Sequence, residues 1–223
     1  MDFSYIFSLL SLGFYSIVYL PQFVLIYKNK SSKGISIWTL ILWTQADALS
    51  LFGTILLHLP ITFALMSWYH FVIGVTMIIF VVFYGEQLCK LEIYGSGVFI
   101  LLNILIGVVL SYTIKDLNND VGGVISWITM SLYIIGRFPQ IYENWNTKTT
   151  EGLSILMYIF TILGNLFYIG VIFSSPEYLD KNIPWLISSI FSILLDIIII
   201  SQHYYYKNLN INEKNKLLNC VNV

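Results

Sequence analysis

Apolar residues run along the chain in long blocks, and short polar stretches separate them. Seven blocks are long enough to cross a bilayer as helices, which takes about 20 residues: 3–27, 34–57, 59–84, 93–114, 121–143, 152–175 and 183–206. Only His58, Leu59 and Pro60 lie at the turn between the second and third blocks, so these two form a tight hairpin. The pattern predicts an all-α membrane protein with seven transmembrane helices.

The blocks repeat. Residues 19–36 read YLPQFVLIYKNKSSKGIS, and residues 137–154 read RFPQIYENWNTKTTEGLS. Pro21 and Pro139 are 118 positions apart (139 − 21), as are Gln22 and Gln140, Lys30 and Lys148, Gly34 and Gly152, and Ser36 and Ser154. Repeated hydrophobic hairpins are a mark of carriers built from two related halves. Both copies start on the same side, so the repeats are parallel, and an odd number of helices must join them. The expected arrangement is therefore two parallel three-helix bundles joined by a linker helix: 3–84, then 85–120 with the linker, then 121–206, then a tail at 207–223. The linker block contains no charge and one mid-helix amide, Asn103.

Charge orients this array. Of 223 residues, 57% are hydrophobic and 10% charged, against roughly 25% charged in a soluble domain. With the N-terminus outside the cytosol, the cytosolic segments hold Lys28, Lys30, Lys33, Lys90, Lys148, Lys207, Lys214 and Lys216, and the opposite side holds only Lys115 and Lys181. This asymmetry places the C-terminus in the cytosol. The net charge of −1 offers nothing to nucleic acid, and Cys89 and Cys220 both fall in expected cytosolic segments, where no disulfide is anticipated. The first block is long enough to remain as a span. Asn29-Lys30-Ser31 is a glycosylation sequon rendered inert by its cytosolic side.

Two Pro-Gln motifs, each followed by K-[ST]-[ST]-x-G-[IL]-S, in a seven-helix chain, resemble the PQ-loop family over residues 5 to about 206. The details are similar to its lysosomal and vacuolar cationic amino acid branch, which is related to cystinosin and the SWEET carriers. These details are Trp43 four residues before Asp47 and a Leu-Pro turn after them, the Gly164-Asn165 pair, Arg137 ahead of the second Pro-Gln, and Asp196 with Gln202. Departures fall at Gly74 and Phe80, where the branch has an Asp and a Gln, and at Ala46, where it has a Gly. The resemblance implies a multi-pass protein of the lysosome or vacuole that exports Lys, Arg or His to the cytosol by alternating access.

A charge inside the bilayer is costly, so Asp47 marks a substrate or ion path. Its repeat partner is Asn165 (165 − 118 = 47). Such a carboxylate–amide pair suits an ammonium or guanidinium group, and Trp43, one turn earlier, could pack over the cation. The alternative is that both are interhelical glue. Asp196 is either a proton-coupling group or the fixed partner of Arg137, which in turn could receive a substrate carboxylate. His203, seven residues on, is a lesser relay candidate. Pro21 and Pro139 are expected inside helices, kinking them into hinges, with Gln22 and Gln140 bonding the freed backbone groups.

Glu213, Leu217 and Leu218 form an acidic dileucine pattern of the kind read by coat adaptors. No metal-ligand spacing, phosphate loop or nucleophilic triad appears, and His58, His70 and His203 are scattered, so no enzyme, metal or cofactor is expected. The expected partners are an amino acid, a proton, the lipid bilayer and an adaptor. The other readings are a cystine or sugar carrier, or a receptor that senses an amino acid and recruits a cytosolic partner.

Overall fold

A computed structural model of the chain describes residues 3–58, 61–85, 88–113, 119–174 and 179–221, with side chains except at 62, 104, 106–113, 119, 179–182 and 210–221. These residues form α1 (Phe3–Ser16), α2 (Leu20–Asn29), α3 (Ile37–Leu56), α4 (Ile61–Phe83), α5 (Lys90–Thr113), α6 (Asn119–Ile135), α7 (Arg137–Thr147), α8 (Ile155–Ser174) and α9 (Leu179–Val221). Among the described residues, six helical stretches are long and apolar enough to cross a membrane. Two of them are the broken pairs α1–α2 and α6–α7, and the others lie in α3, α4, α8 and α9. The fourth expected span corresponds to α5, a 24-residue helix outside that set of six.

Both breaks precede a proline, and this corrects the expected position of the prolines. Neither Pro21 nor Pro139 is interior to a helix. A proline has no N–H, and its ring collides with the carbonyl four residues back, here that of Ile17 and of Ile135. The first span breaks at Ile17–Tyr19 and restarts with Pro21 in the first turn of α2, where proline is well tolerated. The second breaks at Gly136, with Pro139 third in α7.

The freed carbonyls are not bonded by the neighbouring glutamines. His70 Nε2 lies 3.0 Å from the Tyr15 carbonyl; this acceptor requires the proton on Nε2. Tyr69 donates its hydroxyl to the Ser16 carbonyl. Arg137 Nη1 donates to the Tyr133 carbonyl at 2.5 Å. Tyr15 and Tyr133 are again 118 apart, so each half breaks at an equivalent carbonyl and covers it with a different side chain.

The halves exchange neighbours. α1 packs on α8 and α3 on α6, while α3 also packs on α4, α8 on α9, and α6 on α9. α5 lies outside this ring against α3 and α4, pinned where Asn103 Nδ2 donates to Gln45 Oε1 at 3.0 Å. Ile26, Leu40, Met77, Ile78, Val81, Met157 and Ile199 are fully buried in one core toward the Pro-Gln loops. Leu65, Phe83, Leu101, Phe173 and Leu194 lie outside the cavity lining and are exposed. That surface is compatible with lipid, because a helix keeps its own backbone groups bonded.

α9 is 43 residues long, or roughly 64 Å at 1.5 Å per residue. The backbone continues as helix through the expected tail to Val221. The side chains of Glu213, Leu217 and Leu218 lie outside the described residues.

Candidate functional site

The ring encloses a cavity of about 480 Å³, within the size range of small-molecule sites. It extends from Tyr5, Phe63 and Trp185 down to a floor at Tyr19, Trp43 and Arg137. Beneath the floor lie the apolar core and then the two Pro-Gln loops. The cavity thus reaches toward the N-terminal end of α1 and is sealed toward the loops.

Asp47 and Asn165 both line the cavity and are 3% and 6% exposed. Each is held by a tyrosine of the other half. Tyr133 donates its hydroxyl to Asp47 Oδ1 at 2.5 Å, and Tyr15 donates to Asn165 Oδ1 at 2.9 Å. Asn165 Nδ2 also donates to the Thr161 carbonyl at 2.9 Å. Residue-by-residue reading of the sequence passed over these tyrosines. The 118-residue offset that pairs Asp47 with Asn165 pairs Tyr15 with Tyr133 as well, and it was the available signal.

Arg137 and Asp196 meet in a buried bidentate pair, Nε to Oδ1 at 2.7 Å and Nη2 to Oδ2 at 3.2 Å. With Nη1 on the Tyr133 carbonyl, all three guanidinium nitrogens are engaged. Trp43 is placed differently from expectation. Its ring lies 5.0 Å from the Arg137 guanidinium, so the cation it faces belongs to the protein. Its indole N–H is buried and meets no hydrogen-bond partner among the described residues, and a β-carbon on Gly136 would sit 2.9 Å from that nitrogen. Only glycine lets the chain break this close to the indole. His203 stands apart from the cavity, its Nδ1 2.8 Å from Thr150 Oγ1.

The glutamines form a clasp between the halves. Gln22 Nε2 donates to the Gly152 carbonyl at 2.9 Å, and Gln22 Oε1 accepts from the Ser154 amide at 2.7 Å. Gln140 Nε2 donates to the Gly34 carbonyl at 2.8 Å, and its Oε1 accepts from the Ser36 amide at 2.8 Å. Both side chains are fully buried. The two loops cross back to back at Gly34 (φ 93°) and Gly152 (φ 86°). A β-carbon at Gly34 would lie 2.1 Å from the Glu151 carbonyl oxygen, and one at Gly152 would lie 2.0 Å from that of Lys33. In the second half the polar chain continues, since Gln140 also donates to Asn144 Oδ1 and Asn144 donates to Gln202 Oε1 at 2.9 Å. Ile26 occupies the position equivalent to Asn144 in the first half (144 − 118 = 26).

This helical ring with two equivalent breaks is the SWEET-like membrane fold. A solved eukaryotic SWEET transporter superposes with a TM-score of 0.64 over 92% of this chain and 97% of that one, at 11% identity. The PQ loop repeat description matches residues 3–63 and 121–178, and the chain belongs to the PQ-loop family. It is 27% identical to a lysosomal amino acid transporter 1 homolog of Gallus gallus, over 90% of this chain and 79% of that protein. The Homo sapiens homolog is 26% identical over 84% of this chain and 77% of its own length. The vacuolar lysine transporter YPQ1 of Saccharomyces cerevisiae is 36% identical over 40% of this chain and 30% of its own.

Proposed function

We propose that this protein carries cationic amino acids (lysine, arginine or histidine) from a lysosomal or vacuolar lumen to the cytosol by alternating access. The observation that carries the reading is Asp47. Among the described residues lining the cavity, the charged or titratable groups other than tyrosines are Asp47, His70 and Arg137. Arg137 is neutralised by Asp196, and His70 spends its Nε2 proton on a carbonyl. Asp47 is left with a hydroxyl partner and no cation. A lone carboxylate in a poorly hydrated site favours a cationic guest. Relatives named as lysosomal amino acid and vacuolar lysine transporters support the substrate class.

In this reading α1–α4 and α6–α9 are two parallel three-helix units, and α5 is their linker. The N-terminus and the wide end of the cavity face the lumen, and the clasped loops face the cytosol. Asn165 orients the substrate, and the breaks ahead of Pro21 and Pro139 are where the units bend. Protonation of Asp196 would weaken its grip on Arg137, which makes it the coupling group. Glu213, Leu217 and Leu218 direct sorting from the cytosolic end of α9.

The test is uptake of radiolabelled lysine into proteoliposomes at acidic external pH, with arginine, cystine and glucose as competitors. Saturable uptake blocked by arginine alone, and lost in D47N, is expected. Normal lysine uptake by D47N would falsify the assignment of Asp47.

A further inference from the structure

Serine and threonine in a membrane helix ordinarily satisfy the hydroxyl on the carbonyl four residues back. Ser8, Ser67, Ser126, Ser131, Ser174 and Ser201 all do so here. Ser188, Ser189 and Ser192 do not. They are 5%, 4% and 3% exposed, they line the cavity, and their hydroxyls hydrogen-bond to no described residue. Ser188 and Ser192 share a face of α9 with Asp196, one turn apart each, so the column rises about 6 Å per step from the Arg137 pair at the floor.

We propose that this serine wall is the subsite for the substrate's α-carboxylate. The inference rests on the cationic amino acid reading above. Such a substrate must present an anion as well as a cation, and Asp47 repels the anion. The charged and amide donors are engaged, Arg137 by Asp196 and the Tyr133 carbonyl, His70 by the Tyr15 carbonyl and Asn165 Nδ2 by the Thr161 carbonyl. The Ser50–Ser67 pair is closed on itself and on the Phe63 carbonyl. Tyr19, Trp43, Tyr168 and Trp185 each offer a single donor at separate points of the lining, while the serines gather three on one wall. α6 packs between α3 and α9, which sets that wall apart from the one bearing Asp47. A carboxylate has two oxygens with about four acceptor sites, and several neutral hydroxyls can serve it without the desolvation cost of a second buried cation. The wall thereby selects amino acids over amines of the same charge and length.

The experiment compares lysine with cadaverine, which is lysine without its carboxylate, in proteoliposomes. Wild type should prefer lysine by at least tenfold. In S188A/S189A/S192A the half-saturating lysine concentration should rise at least tenfold while inhibition by cadaverine stays unchanged. S192T, which keeps a hydroxyl, should behave as wild type, and an unchanged Tm of the triple variant shows that it folds. Equal treatment of lysine and cadaverine by wild type, unchanged lysine affinity in the triple variant, or equal weakening of both ligands overturns the proposal. D47N separates the two readings, because it should weaken both ligands whatever the serines do. Absence of lysine uptake by wild type would sink the transport reading and this subsite with it.

Discussion

Gln22 and Gln140 each bind the loop that follows the other. Gln22 spans Gly152 and Ser154, and Gln140 spans Gly34 and Ser36. Four hydrogen bonds thus tie the halves together at the sealed end of the cavity, in a buried setting where a polar group left unpaired costs about 1–3 kcal/mol. The exchange makes the Pro-Gln motif a tie between the halves. Opening toward the loops requires all four bonds to part.

Truncating the latch should release it. In Q22A/Q140A the loop-side-open form should gain population by about tenfold or more, from about 0.5–1.5 kcal/mol for each bond lost. Leu153, 4% exposed between the loops, reports on this. A cysteine placed there should react with a maleimide at least tenfold faster in the double variant. An unchanged rate would mean that the apolar core alone keeps this end shut.

The loop glycines have a sharper requirement. G34A and G152A each force a left-handed φ on a residue with a β-carbon and drive that carbon into a carbonyl oxygen about 2 Å away. Each variant should lose several degrees or more of Tm, from a cost of about 2 kcal/mol or more. A thermal melt of the purified protein decides it, and a wild-type Tm in either variant would contradict the back-to-back crossing.

Tyr133 holds Asp47, the one carboxylate that lines the cavity among the described residues. Y133F removes the hydrogen bond to Asp47 and leaves the ring. A bond to a charged group contributes about 1.5–3 kcal/mol, so the half-saturating concentration for lysine should change by roughly ten- to a hundredfold, whereas D47N should abolish uptake. Y15F, acting on the neutral Asn165, should change it less. Equal effects of the two phenylalanine variants would argue against an electrostatic role for Asp47.

Arg137 and Asp196 should be far more sensitive singly than together. Either D196N or R137L leaves a buried group uncompensated, at a cost of about 3–5 kcal/mol. R137L/D196L removes both charges and should recover much of the lost Tm. If the double variant also transports lysine without a pH gradient's influence, the pair is the coupling element. If it melts like the singles, the Tyr133 and Trp43 contacts of Arg137 matter more than the ion pair.

Much of this could be read from residue spacing. The apolar blocks locate most of the helices within a few residues, though α9 runs on through the expected tail to Val221, and a single offset of 118 relates Pro21 to Pro139, Gln22 to Gln140 and Asp47 to Asn165. The partners of these residues were less legible. Hydropathy shows that a helix enters the bilayer but not which helix lies beside it. So Gln22 was expected to mend its own broken helix, while its side chain crosses to the other half. Trp43 was expected to face a guest cation, and it faces Arg137 because the break at Gly136 brings the two together. The expected prolines were interior because both apolar blocks run through them without interruption, yet the steric conflict at Ile17 and Ile135 ends one helix and starts the next.

The exchanged latch has an implication for the descent of the chain. Each half supplies one glutamine and one receiving loop, and the two sets are nearly the same words. Two copies of a single half could close the same latch on each other as a homodimer, with no contact that the present chain had to invent. Joining the copies in one chain allows them to differ. Among the positions where the halves now differ are Asp47 against Asn165, Arg137 against Tyr19, and Asn144 against Ile26. A symmetric pair of identical chains would carry two identical groups at each of these points, whereas a single chain holding both halves can place a carboxylate on one side and an amide on the other.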